Sequence, residues 1–388
     1  MKNVVIVGGG FAGVQAAIEL QKTKTFIVTL ISDREYLFLY PTSIWIPTRA
    51  ATFDDSKISL HEIRRAHGFN LVIDTVNEIR SAQNTVMGAA AVYPYDYLIV
   101  AMGAGKMGLP GQEHTFTICG NPESSLAIRD RLDHLIERGS GSIAIGFGGN
   151  PKDLSAVRGG PAFELIFNIH THLKKLGRRD RFSLTFFAPM AEPGARMGKK
   201  ALRMIDTMFS SMNISKRFGK KIKTFTPLGV TFEDESTLNA DLVVFIAGAA
   251  GHSVFRSSDL PLNEAGFMKI DDHCLVEGTT NVYAVGDSAA IEGPEWRAKQ
   301  GHTAEVMARI AAFNIVRSER GETGQKGYQE HLSILCIMDT GNGAAFVYRD
   351  RTKNFVIPMP IVGHWMKRAW GVYTTLTKTG KMPRIPGV

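Results

Sequence analysis

The sequence is poor in cysteine. Cys119, Cys274 and Cys336 are the only ones among 388 residues, far apart and in no CxxC pair. That excludes a disulfide framework and a structural zinc site, and points to a reducing compartment. No run of 18 or more apolar residues occurs, so no membrane-spanning helix is expected. Low-complexity tracts and short-period repeats are also missing. Met1-Lys2-Asn3 passes straight into the apolar Val4-Val5-Ile6-Val7, which leaves no room for a signal peptide. Acidic residues are outnumbered, 37 against 45 Lys and Arg, for a formal charge of +8. Such an excess suits an anionic ligand, an anionic membrane surface or nucleic acid, and equally a solubilising surface. The basic cluster Lys216, Arg217, Lys220, Lys221 and Lys223 is not interleaved with stacking aromatics, so no nucleic-acid partner is expected. His170 and His172 are spaced to face different sides of a helix, so no metal site is expected.

Glycine is plentiful, at 39 residues, as strand-to-helix turns require. The length exceeds one ordinary domain. Val4–Val7 reads as a buried parallel strand, and Val14–Leu20 as a helix. Between them stands Gly8-Gly9-Gly10-Phe11-Ala12-Gly13, a Gly-x-Gly-x-x-Gly in its proper setting. Gly8 permits the turn, Gly10 admits a pyrophosphate, and Gly13 lets helix and strand approach. The phosphates would sit at the helix N-terminus, where free N–H groups and the dipole favour anions. A second strand, Phe26–Ile31, ends at Ser32-Asp33, where an acidic side chain would hold the adenosine ribose.

Two later segments bear on which dinucleotide is bound. Tyr95–Val100 closes on Ala101-Met102-Gly103, and Asn281–Val285 closes on Gly286-Asp287. With the first motif they resemble the ordered signatures of flavoprotein pyridine-nucleotide oxidoreductases. The resemblance implies an FAD cofactor, with Asp287 at its ribityl or phosphate region. Besides the three motifs, Pro41, Val76 and Lys299 complete the candidate FAD contacts. The implied fold is α/β, with two Rossmann-like domains of the glutathione-reductase type plus a C-terminal membrane-association region. The FAD domain is expected at 1–118 and 240–312, resuming with Leu242–Ile246. A second domain is expected at 119–239, and a separate C-terminal region at 313–388. Residues 85–94 read as a hairpin.

The second domain departs from a nicotinamide-binding pattern. Its strand Ser142–Ile145 leads to Gly146, Gly148 and Gly149, but the third glycine position is Pro151. Proline offers no N–H to a phosphate. The helix begins only at Gly160-Pro161. Residues 150–159 thus intrude between strand and helix, and tight nicotinamide dinucleotide binding is not expected.

Five further stretches resemble sulfide:quinone oxidoreductases: 32–43 with its aromatic run into Pro41, Gly160-Pro161-Ala162-Phe163-Glu164, 299–315, Cys336–Gly343, and His364-Trp365-Met366-Lys367. That family implies oxidation of sulfide at FAD by two redox cysteines, with electrons passing to a quinone. Cys336 occupies one cysteine position. Where the other stands in the family, this chain has Val157-Arg158-Gly159. Cys119 matches a further family cysteine. A nearby cation would help hold a lone redox thiol at Cys336, or a sulfur anion such as HS⁻, in ionised form; Arg158 is the candidate, with Cys119 as resolving thiol. Packing is the alternative role for both cysteines. Cys274 is expected on a surface turn.

Glu164, in the first turn of its helix, is the candidate proton carrier. Lys299 is the candidate cation at the flavin. Glu305 is read as orienting a quinone or relaying protons. In the tail, Ile361, Trp365, Ala369, Val372, Tyr373 and Leu376 share one helical face, with Lys367, Arg368 and Lys378 on or near the other. Trp365, Trp370 and Tyr373 are interfacial anchors by type. A helix lying on the membrane surface is expected, giving a peripheral protein on the cytoplasmic side that takes electrons from a small reduced sulfur donor to quinone. The competing readings are an NAD(P)H:quinone oxidoreductase, the flavin subunit of a sulfide dehydrogenase, and a non-catalytic FAD-holding protein. A homo-oligomer stays open.

Overall fold

The computed structural model describes residues 1–385. Two parallel sheets organise it. The first has the order Val282–Ala284, Tyr97–Val100, Lys2–Val7, Phe26–Ser32, Asn70–Ile73, and every neighbouring pair is parallel. Its central strand is apolar from Val4 to Val7, where both faces are covered, as parallel sheets require. Val4, Ile6, Val28, Leu30 and Ile99 are buried on it. The helices Phe11–Lys22 and Gly301–Glu319 pack on one another.

The second sheet has the order Ile214–Phe218, Phe182–Ala188, Gly141–Phe147, Leu242–Ile246, again all parallel. Leu242–Ile246 was expected to reopen the first domain. It pairs instead with Gly141–Phe147, with Ile143 opposite Leu242. Its five buried residues fit either sheet, so pattern alone could not assign it. A cluster of phenylalanines fills the core beside this sheet, with Phe163 and Phe186 stacked at 4.6 Å.

Each sheet carries an antiparallel excursion. Thr85–Gly88 and Val92–Pro94 form the expected hairpin beside Val76–Arg80, and Ile222–Thr226, Gly229–Phe232 and Thr237–Asn239 form its counterpart. Cys274 is not at the surface. Its turn carries the exposed Asp271, but the cysteine itself points into the core at 0% exposure.

The expected boundary at 312 falls inside the helix Gly301–Glu319. The tail is no separate region either. Its sheet, Ile334–Asp339, Gly343–Arg349 and Asn354–Pro360, bonds to the helix Gly160–Lys175 through Thr171 Oγ1 to the Thr340 carbonyl (2.6 Å). Its helix, Val362–Lys378, lies against the first glycine turn, with Trp370 stacked on Phe11 at 6.5 Å. The tail straps both α/β units together.

Candidate functional site

A cavity of about 2030 Å³ runs between the two sheets and under the C-terminal helix. Ordinary ligand pockets hold roughly 300–1,000 Å³, so this one has room for a dinucleotide and a second molecule. Its first wall is the glycine turn. Gly8 has φ +111°, and a Cβ there would collide with the Ala101 carbonyl. A Cβ on Gly13 would collide with the Gly8 carbonyl, so helix and strand touch there. Gly10 faces open space, with nothing within 4 Å of a Cβ position. It caps the helix Phe11–Lys22 with no side-chain bond, which leaves the first N–H groups to a phosphate. The geometry fits FAD.

Phe11, Ala12, Asp33, Pro41, Val76, Ala101, Gly103 and Asp287 all lie on the cavity wall. Gly13, Ser32 and Gly286 do not. Ser32 sits beneath Gly9, and its hydroxyl donates to the Arg34 carbonyl at 2.7 Å. Asp33 is exposed and pairs with Arg34 at 2.9 Å. Gly286 holds φ +63°, and a Cβ there would stand 2.9 Å from that of Ala304.

Cys336, Glu164 and Lys367 meet at the far end of the cavity. Glu164 is the fifth residue of the helix Gly160–Lys175, so it lies past the first turn where it was expected. The helix end therefore does less for it than its two direct partners. Its Oε1 accepts from the Asp339 N–H at 2.8 Å and from Lys367 Nζ. Burial raises the Glu164 carboxyl, and Lys367 and that N–H oppose the shift. Cys336 is half-buried on Ile334–Asp339, and burial with the Glu164 charge pushes its thiol up to about 12 against the pull of Lys367. Asp339 is fully buried, accepting from Trp45 Nε1 at 3.1 Å and lying 2.7 Å from His364 Nδ1. Arg368 donates to His364 Nε2 at 3.0 Å, so the neutral ring carries its proton on Nδ1, toward Asp339.

Arg158 was expected to serve Cys336 or a sulfur anion, and the first does not hold. The structure places it elsewhere. It pairs with Asp287 and donates to Cys119, and Lys106 also acts on that thiol. Burial raises the Cys119 thiol while both cations pull it down. The cause is the fold of residues 148–159. Val157 packs back onto Gly149, where a Cβ would stand 2.5 Å from its methyl, and the next side chain turns toward the Gly-Asp turn. Val157 thus occupies the space beside Gly149 that stands open beside Gly10.

Lys299 is buried on the cavity wall, donating to the Ala289 carbonyl. Burial lowers it to about 7, helped by Arg158 and Arg297 and opposed by Asp153. Burial raises Glu305, but Lys378 at 2.7 Å, Arg384 and Arg309 bring it below the usual range.

The C-terminal helix turns its polar face inward. Lys367 and Lys378 are each 5% exposed, whereas Trp365 is 65%, Val362 60% and Val372 61% exposed. Trp370, expected as a surface anchor, is instead the partner of Phe11, and the half-buried Tyr373 accepts from the Ile385 N–H at 2.8 Å. Asp339 and the two buried lysines were missed as site residues. The sequence signals were that Asp339 and Lys367 lie in two of the resembling stretches, and that both lysines share the helix face opposite the apolar one.

The family profile described as pyridine nucleotide-disulphide oxidoreductase matches residues 2–309. The sulfide-quinone reductase of Aquifex aeolicus is 28% identical over 400 residues, covering 96% of this chain and 90% of that protein. The crystal structure of the Aquifex aeolicus sulfide:quinone oxidoreductase superposes with a TM-score of 0.88 at 26% identity, covering 98% and 92% of the two chains. A type II NADH:quinone oxidoreductase of Staphylococcus epidermidis is 25% identical over 377 residues, covering 89% and 90%. The Plasmodium falciparum NDH2 structure shares the fold, with a TM-score of 0.75 at 12% identity and 99% of each chain covered.

Proposed function

Because the chain belongs to the pyridine nucleotide-disulphide oxidoreductase family, and is thus a flavin-dependent oxidoreductase with FAD as cofactor, we propose that it is of sulfide:quinone oxidoreductase type. It takes two electrons from sulfide or another reduced sulfur donor and delivers them through FAD to a membrane quinone. The observation that carries the reading is Cys336 beside Glu164 in the same cavity as the FAD cradle, in a chain similar along 96% of its length to a sulfide-quinone reductase. FAD supplies the two-electron acceptor. Cys336 presents the sulfur nucleophile, Glu164 takes its proton, and Lys367 holds Glu164 in place. Glu305 and Lys378 offer charged groups where the C-terminal helix closes the cavity.

The outward apolar face of the C-terminal helix supports peripheral membrane attachment, since Val362, Trp365, Met366 and Val372 stay exposed among the described residues. Three free cysteines favour the cytoplasmic side. The second reading, an NADH:quinone oxidoreductase, is favoured by the staphylococcal relative. Val157 over Gly149 opposes it. Anaerobic mixing with sulfide, and separately with NADH, decides between them by flavin absorbance. Bleaching by sulfide and not by NADH is expected; bleaching by NADH alone sinks the first reading.

A further inference from the structure

Arg158 stands where the resembled family has a cysteine, so what it does is a property of this chain. It faces the cavity together with Lys106, Cys119 and Tyr40. Arg158 has one carboxylate partner, Asp287. Lys106, at the cavity mouth, has none among the described residues. The two cations repel one another: burial lowers Lys106 and Arg158 lowers it further, while both cations pull the Cys119 thiol toward its anionic form against burial. Mutual repulsion of this kind at the edge of a low-dielectric cavity is relieved by a bound anion. Arginine is well suited to hold one, because its charge is permanent and its hydration weak.

The backbone points the same way. The helix Gly160–Lys175 starts two residues after Arg158. Its N-cap, Gly159, makes no side-chain bond, and its first turn holds no acid. Both Gly159 and Gly160 lie on the cavity wall, and beside Gly160 a Cβ would meet nothing within 4 Å. The helix end thus adds positive potential and leaves space. Around Cys119 the facing groups are Arg158, Lys106, Tyr40 and, further in, Glu164. Tyr40 donates its hydroxyl to the Gly120 carbonyl at 3.0 Å, so it brings no charge.

We propose that Arg158 and Lys106 form a subsite for a small monovalent anion beside Cys119, through which the electron donor enters as hydrosulfide or a short persulfide anion rather than as a neutral thiol. The naming of the anion rests on the sulfur-donor reading above; the subsite itself does not. Arg158 acts by holding the donor, so its removal weakens binding more than it slows the electron-transfer step.

The FAD-loaded full chain is titrated with sodium thiocyanate, an unreactive soft anion, while the flavin absorbance is followed. It is then mixed anaerobically with sulfide in a stopped-flow instrument. Arg158→Met is expected to raise the thiocyanate dissociation constant tenfold or more, with Arg158→Lys in between. The sulfide concentration for half-maximal reduction rises by a similar factor, while the limiting rate changes less than threefold. Lys106→Met gives a smaller rise of the same kind; being at the mouth, it tests the site even where Arg158→Met sheds FAD. An unchanged dissociation constant in both variants, or no spectral response to thiocyanate at all, overturns the subsite. Arg158-dependent thiocyanate binding in a protein that sulfide does not reduce would uphold the subsite and sink the sulfur-donor reading instead.

Discussion

Cys336 is a poor nucleophile as it stands, because burial and the Glu164 charge hold its proton on. It acts only where that proton has somewhere to go, and Glu164 is the adjacent acceptor. Cys336→Ala is therefore expected to slow flavin reduction by sulfide at least as much as loss of a general base does, roughly 10²-fold. FAD content should stay at wild-type level, as measured by absorbance ratio. Lys367→Met tests the neighbouring pair. It leaves Glu164 buried without its cation, which costs about 3–5 kcal/mol in stability. The double variant Glu164→Gln, Lys367→Met should be more stable than Lys367→Met alone in chemical denaturation. Lys299 gives a pH signature. Its folded pKa of about 7 lies below the ordinary 10.5, so the unfolded chain binds more protons between those values. Stability then rises with pH across that window. Lys299→Met should flatten the rise of Tm with pH above 7, and an unaltered slope would remove Lys299 as its source.

At the scale of elements, the C-terminal helix and the loop 148–159 carry the departures from expectation. The 3.6-residue spacing of the tail was legible, and so was the opposition of its two faces. Which face turns inward was not. Periodicity gives a stripe without saying whether core or solvent meets it, and here the buried Glu164 and the half-buried Glu305 draw the lysines in. The outward stripe leads to an expectation. Trp365→Glu with Val372→Glu should abolish co-sedimentation with phospholipid vesicles while leaving reduction of a water-soluble quinone analogue within about twofold. Equal vesicle binding by the double variant would mean that the helix is not the membrane contact. The loop was legible as an interruption, because proline and a late helix start are local facts. Its consequence for Arg158 was not, since the direction of one side chain depends on how Val157 packs against Gly149.

The whole molecule is held together by its tail. Lys378 donates to Gln15 on the first helix and pairs with Glu305 at 2.7 Å, while His67 Nε2 lies 2.9 Å from the Lys378 carbonyl. Trp370 lies on Phe11, beside the FAD cradle. The strap and the cofactor should therefore be lost together. Lys378→Met is expected to lower the Tm, with flavin fluorescence appearing in the same transition as loss of helical circular dichroism. Flavin release well ahead of unfolding would show that the strap closes the cavity without stabilising the chain.

The sequence by itself determined the two wound α/β units, the FAD cradle and the place of Cys336 among the chemistry-bearing residues. Each of these is written in short-range terms: glycine where φ is positive or backbones touch, β-branched runs where both sheet faces are buried, a motif in fixed order. Only the tertiary structure decided that Leu242–Ile246 closes the second sheet, that Cys274 is core, that Arg158 faces Cys119 and Asp287, and that the tail's lysines point inward. Those outcomes depend on which distant segments meet. Buried charge must find its partner wherever the chain brings one, and no local pattern records where that is.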